Sequence, residues 1–287
     1  MAVVDATRNR FTVQPFHFDK KFVVLSDWDG TITTCDSNDY LTDNYGMGNE
    51  ERVALNVQML EFDKSGNTRG ISFKDGFEPM MQSVLEKGHS LEDCKTFLTT
   101  RSVDGLRPVD FTDGFIEFKK FCDSNDIPFT VISSGMDEFI RAVLNELAEG
   151  PDKDVVKDIT IVSNGVRYDD TGRWHVTWRH PESNYGHDKS RAILPYQEYR
   201  KEHDGQGPTV FFLGDGASDL SAAQHADVLL VKVTGIDERD NLKKHCDSMG
   251  IPYIPFFDFH DVKNIVGKII SGESKDNLLV NPMALAN

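Results

Sequence analysis

Two aspartates one residue apart, Asp27 and Asp29, stand where the apolar run FVVLS ends. Their charges repel, so the pair implies a cation beside it or a reaction that uses both. Three further stretches carry matching chemistry: Ser133-Ser134-Gly135 after a second apolar run, Lys189 in GHDKS, and GDGASD with Asp215 and Asp219. Mg²⁺ takes oxygen ligands and is usually held by few carboxylates together with water and phosphate oxygens. With a lysine, hydroxyls and glycine-freed amides nearby, the set describes a pocket for a phosphoryl group. One carboxylate of such a pair can attack phosphorus while its neighbour passes a proton to the leaving oxygen. On an extended strand, positions 27 and 29 would point to the same side.

These groups work together only if the chain brings them to one place. Short apolar runs at Phe22–Ser26, 128–133, 160–163, Thr209–Gly214 and Val228–Lys232 read as strands, several of them apolar throughout, as in sheets covered on both faces. Amphipathic stretches at 113–122 and 136–147 read as helices between them. The alternation predicts an α/β fold with a mainly parallel sheet, whose ligands bind beyond the carboxyl ends of the strands. All four groups follow a strand or a hairpin. The segment from 40 to 108 shows no strand and is too long for an ordinary loop. Val53, Val57 and Leu60 mark one helix there, Phe73, Phe77, Met80, Met81, Val84 and Leu85 a second, and Ser90 with Asp93 caps a third. The predicted organisation is a core of 1–39 and 109–287 with a helical insert at 40–108. Residues 162–178 contain two short strands around the turn 169–172, a hairpin.

The 287 residues carry a net charge of −16, which argues against nucleic acid and anionic membranes. An anionic substrate then needs positive charge concentrated at its site, from a metal and Lys189. The four cysteines form no CxxC pair and are expected to be reduced thiols. No apolar run is long enough for a membrane span or a signal peptide, so a cytoplasmic location is expected.

DWDGT at 27–31, the Ser133 strand tip, Lys189 and GDGASD, in this order, resemble the haloacid dehalogenase superfamily of phosphatases. The helical insert after the first motif is similar to the cap of its phosphoserine phosphatase-like branch. The stretches TCDSNDYLTD and GDGASDLSAA look like a fungal phosphatase group within it. The resemblance implies a Rossmann-like core and a Mg²⁺-dependent phosphomonoesterase acting on a small phosphorylated metabolite. It makes Asp27 the nucleophile and Asp29 the general acid/base, with its carbonyl on the metal. Asp27, Asp215 and Asp219 would form or support the metal site, and Ser133, Ser134, Gly135 and Lys189 would hold the phosphate. A phosphomutase or a catalytically silent binding protein on the same fold are the alternatives.

The sequence departs from the phosphoserine enzymes in its insert. Met80 stands where their substrate-gripping arginine is expected, with Met81 next, and a methionine cannot pair with a carboxylate. Asp36 falls where they carry a longer acid; it is a substrate-side candidate or the cap of the first insert helix. The SFKDGFEPMM text is closer to methylthio-ketose phosphate phosphatases, and sugar or polyol phosphates are equally open. Met80 and Met81 read first as core, His187 as a polar loop contact, and Arg52, Lys74 and Arg101 as surface.

Overall fold

A computed structural model describes residues 11–59, 70–101, 105–236 and 240–280. The strands are β1 (Phe22–Ser26), β2 (Phe129–Met136), β3 (Thr160–Tyr168), β4 (Trp174–Thr177), β5 (Thr209–Gly214), β6 (Val228–Lys232) and β7 (Ile254–Phe256). The helices begin with α1 (Ser37–Tyr45), α2 (Asn49–Met59), α3 (Phe73–Glu86), α4 (Leu91–Thr99), α5 (Phe115–Ser124) and α6 (Asp137–Leu147). They continue with α7 (Asp152–Val156), α8 (Leu194–Glu202), α9 (Leu220–Ala223), α10 (Asn241–Met249) and α11 (Phe259–Ile270).

Side chains on a strand alternate between the two faces of the sheet, and here both faces are covered. Val23, Leu25, Val210 and Phe212 pack with Tyr196 and Leu242 on one face. Val24, Val131, Phe211 and Leu213 pack with Phe115, Phe118 and Phe259 on the other. That burial explains the continuous apolar text of β1 and β5. The strand order is β4-β3-β2-β1-β5-β6-β7, parallel except for β4, which runs antiparallel to β3. β1 lies between β2 and β5, so the connections diverge to opposite sides at its carboxyl end. Such a switch point opens a crevice in which a ligand can sit.

The predicted strands are present, and three details differ. β2 runs on through Ser133, Ser134 and Gly135 to Met136, with a register shift against β3 between Ile132 and Met136. These residues are therefore part of an irregular strand end, and α6 starts only at Asp137 with no side-chain cap. β7 had no sequence signal of its own; it is three residues long, contains Pro255 and lies at the sheet edge, where proline is tolerated.

The third difference is in the insert. Among the described residues, 40–108 is helical, with Ser90 and Asp93 forming the predicted capping box. In α2, however, Val53 and Val57 are exposed and Arg52 is buried, the reverse of the expected faces; Leu60 lies outside the described residues. Met59, Phe77, Met80, Val84 and Leu98 join the same apolar cluster as the sheet face. The hairpin turn holds as predicted: Asp169 accepts bonds from the Thr171 and Arg173 amides.

Candidate active site

β1 ends at Ser26, and the chain leaves it with Trp28 fully buried in the core. Asp27 and Asp29, on either side of that anchor, both line a cleft of about 200 Å³. The same-side placement expected of a strand is thus kept just beyond the strand's end. The Asp27 amide donates to the Leu213 carbonyl at 2.8 Å, which continues the pairing of β1 with β5. Ser133, Ser134, Gly135 and Asp215 line the same cleft.

Lys189 is fully buried and donates to Asp27 Oδ1 and Asp219 Oδ1, each at 2.6 Å. Asp219 Oδ2 accepts the Asp215 and Gly216 amides at 3.0 and 3.1 Å, so both its oxygens are engaged. Thr31 Oγ1 donates to Asp215 Oδ1 at 2.7 Å. The oxygens left without a hydrogen bond among the described residues are Asp27 Oδ2 and Asp215 Oδ2. Asp27, Asp215 and Asp219 each present a carboxylate oxygen within 4.8 Å of the others. Hard oxygen donors at that spacing suit Mg²⁺.

Asp29 is held differently. Ser37 donates to its Oδ1 from backbone and side chain at 2.8 and 2.6 Å, and Asn38 Nδ2 to its Oδ2 at 2.8 Å. Enclosure in the cleft and repulsion from Asp36 still push Asp29 up to about 8, against the Ser37 bonds. Burial and the Asp219 charge push Asp215 up to about 7. Burial, then Asp219, raise Asp27 well above the carboxylate range while Lys189 opposes them. Despite its own burial, Lys189 is raised by Asp219 and Asp27 and stays charged. Asp27 and Asp219 share the buried Lys189 ammonium, and Asp215 feels the more distant Lys232; a divalent cation among these crowded carboxylates would favour their charged forms.

On the facing strand end, Gly135 N donates to Ser133 Oγ at 3.0 Å, which leaves the Ser133 O–H free to donate elsewhere. Ser134 Oγ is buried with no partner among the described residues. Asn164 Nδ2 holds the Ser134 carbonyl at 2.8 Å. His187 is buried and its Nδ1 lies 2.6 Å from the Ser133 carbonyl. It is the polar contact expected of it, and it supports the strand end.

Of the three insert cations read as surface, only Arg52 changes. Arg52 is buried against Asp39 and Asp43. Lys74 Nζ donates to the Pro181 carbonyl at 2.7 Å and Arg101 pairs with Glu149, so both tie the insert to the core. Asp36 caps α1, accepting the Asn38 and Asp39 amides, and also lines the cleft. Met80 is buried and lines the cleft with Met59, Phe73 and Phe77, whereas Met81 packs in the core cluster.

Several contributors gave little sequence signal. Ser37 and Asn38 hold Asp29 from the start of α1, and only the density of polar residues in TCDSND hinted at it. Lys232 ends the apolar strand β6, and its Nζ donates to the Gly30, Thr31 and Thr33 carbonyls at 2.7, 3.2 and 3.3 Å. It thereby fixes the loop that carries Asp29. A charged residue closing VLLVK was the available clue.

Gly30 shows how tightly that loop is built. Its φ is +75° and an added Cβ would lie 2.3 Å from Asp215 Oδ2. Gly30→Ala is therefore expected to displace Asp215 and to cost roughly 1–3 kcal/mol in backbone strain, read as a lower melting temperature. An unchanged melting temperature would show that the loop yields.

The family model for haloacid dehalogenase-like hydrolases matches residues 24–224 of the chain. Pdp3-interacting factor 1 of Schizosaccharomyces pombe is 37% identical over 251 residues, covering 87% of this chain and 96% of that protein. Polyol phosphate phosphatase PYP1 of Saccharomyces cerevisiae is 33% identical over 256 residues, covering 88% of this chain and 95% of the relative. A solved phosphoserine phosphatase, in a phospho-aspartyl intermediate analogue form, matches with a TM-score of 0.54 at 16% identity. It covers 85% of this chain and 98% of its own, a likeness of fold.

Proposed function

The chain belongs to the haloacid dehalogenase-like hydrolases, and we propose that it is a Mg²⁺-dependent phosphomonoesterase for a small phosphorylated metabolite. The observation that carries this reading is the buried Lys189 bridging Asp27 and Asp219 beside Asp215, at the switch point of the sheet.

In this reading Asp27 attacks the phosphorus of the ester through an oxygen that Lys189 does not hold. A bond forms from that oxygen to phosphorus, and the bond from phosphorus to the ester oxygen breaks. The leaving alkoxide takes a proton from Asp29. Water then attacks the aspartyl-phosphate and gives its proton to Asp29; phosphate leaves and Asp27 is restored. Lys189, the Ser133 and Ser134 hydroxyls and the strand end around Gly135 hold phosphoryl oxygens as charge develops, with the Gly135 amide orienting Ser133 Oγ. Asp27 and Asp215 would hold Mg²⁺ with the Asp29 carbonyl. When bound, the ion neutralises phosphoryl charge. Asp219, with both oxygens engaged, orients Lys189 and the loop after β5.

The insert is proposed to act as a cap at 40–108 over a core of 1–39 and 109–287, and to choose the leaving group. The cleft joins Asn56 and the apolar Met59, Phe73, Phe77 and Met80 of the insert to Asp36 and Asp39 just before it, with no lysine or arginine among its described lining residues. That favours an uncharged alcohol over phosphoserine, whose carboxylate would meet acids. The similarity to a polyol phosphate phosphatase supports the same class. A methylthio-ketose phosphate is the second candidate, on the apolar wall.

The test is phosphate release from polyol, sugar, methylthio-ketose and aryl phosphates and from phosphoserine. Expected are turnover of polyol phosphates with Mg²⁺, a drop to background with EDTA, recovery on adding Mg²⁺, and poor use of phosphoserine. Turnover undiminished by EDTA would remove the metal from the reading, and efficient phosphoserine hydrolysis would remove the leaving-group argument.

A further inference from the structure

Arg52 is the residue that periodicity misread. It faces inward from α2 while Val53 and Val57, beside it in sequence, are 44% and 57% exposed. A guanidinium is buried only where partners meet its fork, and two carboxylates one turn apart on α1 do so. Arg52 Nε and Nη2 reach Asp43 Oδ1 and Oδ2 at 2.5 and 3.0 Å. Its Nη1 reaches Asp39 Oδ2 at 2.6 Å. Asn56, one turn further along α2, donates to the same Asp39 Oδ2 at 3.3 Å.

The clasp is lopsided. Both contacts to Asp39 fall on Oδ2, and Oδ1 has no hydrogen bond among the described residues. Asp39 and Asn56 both line the cleft that holds Asp27 and Asp29, together with Met59, Phe73, Phe77 and Met80. We propose that Asp39, fixed by Arg52, is a specificity-determining residue whose free carboxylate oxygen accepts hydroxyl groups of the leaving alcohol. This rests on the phosphomonoesterase reading and deepens it.

The chemistry of the clasp sets the class. Burial and the Asp36 charge push Asp39 well above the carboxylate range, and Arg52 opposes them; held ionised by Arg52, the carboxylate offers only acceptors and selects O–H or N–H donors. Arg52 is shared between Asp39 and Asp43, so the clasp keeps an excess of negative charge, and a carboxylate or second phosphate on the substrate gains nothing there. The apolar wall covers the C–H edges of a carbon chain. A hydroxyl-bearing, uncharged leaving group, as in a polyol or sugar monophosphate, satisfies both sides. Arg52 touches no substrate in this scheme; it is a positioning residue that decides which Asp39 oxygen faces the cleft.

The experiment compares kcat/KM for a polyol monophosphate, an aryl phosphate and an aminoalkyl phosphate in wild type, Asp39→Ala, Asp39→Asn, Arg52→Met and Arg52→Lys. The expected result is a fall in the polyol-to-aryl ratio of about tenfold or more in Asp39→Ala, with the change mainly in KM. Asp39→Asn should fall between, because Arg52 claims its amide oxygen and a donor then faces the cleft. Arg52→Met should lower the same ratio, and Arg52→Lys should restore part of it, which a merely structural role would not do. If Asp39→Ala fails to fold, Asp39→Asn and the arginine pair still decide. A ratio unchanged in Asp39→Asn and Arg52→Met, or a wild type that prefers the aminoalkyl ester, overturns the proposal alone. A wild type inert on every ester overturns the phosphomonoesterase reading, and this inference with it.

Discussion

Asp27→Asn is expected to lower kcat by more than about a thousandfold while the protein stays folded, because an amide is a poor nucleophile toward phosphorus. The side chain suits such a swap. Asp27 is almost fully buried, and burial together with Asp219 and Asp215 already disfavours its charged form, with Lys189 the main counterweight. A neutral side chain of the same shape is therefore tolerated. Loss of rate by itself would not separate a nucleophile from a metal ligand, so the covalent step needs its own readout. In Asp29→Asn the second half-reaction loses the group that accepts a proton from water. Acid-quenched Asp29→Asn enzyme, mixed with substrate, should then carry one phosphoryl group by intact mass, mapped to the peptide containing Asp27. Asp27→Asn under the same conditions should carry none. Turnover surviving in Asp27→Asn, or phosphate found on another residue, would overturn the nucleophile assignment.

What the sequence could reveal followed from how local each signal was. β1, β5 and β6 were legible end to end because strands buried on both faces are written as continuous apolar runs. The candidate site groups were legible because three of them follow such a run and Lys189 follows the hairpin, and the parallel order then gathers them without long-range information. β2 was legible only to its first serine. The text SSGM reads as a turn, and pairing with β3 alone extends the strand through it. Arg52 was misread for a different reason. Its burial depends on Asp39 and Asp43, which lie on another helix, and helical periodicity weighs hydrophobicity within one element only. Lys232 was missed likewise, since its acceptors lie some two hundred positions away in the loop after β1. The candidate site was thus written in short words, and the groups that orient it were written in pairs far apart.

Lys189→Met is the more severe test of how the centre is held together. The lysine is fully buried and bonded to two carboxylates, with a third beside them. Removing one partner of a buried ion pair leaves uncompensated charge and typically costs about 3–5 kcal/mol. In wild type that charge is shared, and Lys189 is held protonated by Asp219 and Asp27. Without the ammonium, Asp27 and Asp219 face each other with no cation between them, and protonation becomes the cheapest relief. The folded-state proton affinity of Asp27, already above its ordinary value in wild type, rises further once Lys189 no longer opposes it. Such a group stabilises the fold at low pH and loses that contribution as pH climbs through its folded pKa. The deficit of Lys189→Met relative to wild type, from urea unfolding, should accordingly be larger at pH 8 than at pH 6. Adding Mg²⁺ should narrow it by supplying positive charge to the same oxygens. Adding Asp219→Asn to Lys189→Met should recover part of the loss, because residues in one charge network are not additive. A deficit independent of pH and of Asp219 would mean that Lys189 acts through packing of its stem, and that the carboxylates are balanced by something else. Activity separates the two roles of the residue: the double variant should regain stability while remaining slow, since no side chain then carries the charge that Lys189 brings to the phosphoryl oxygens.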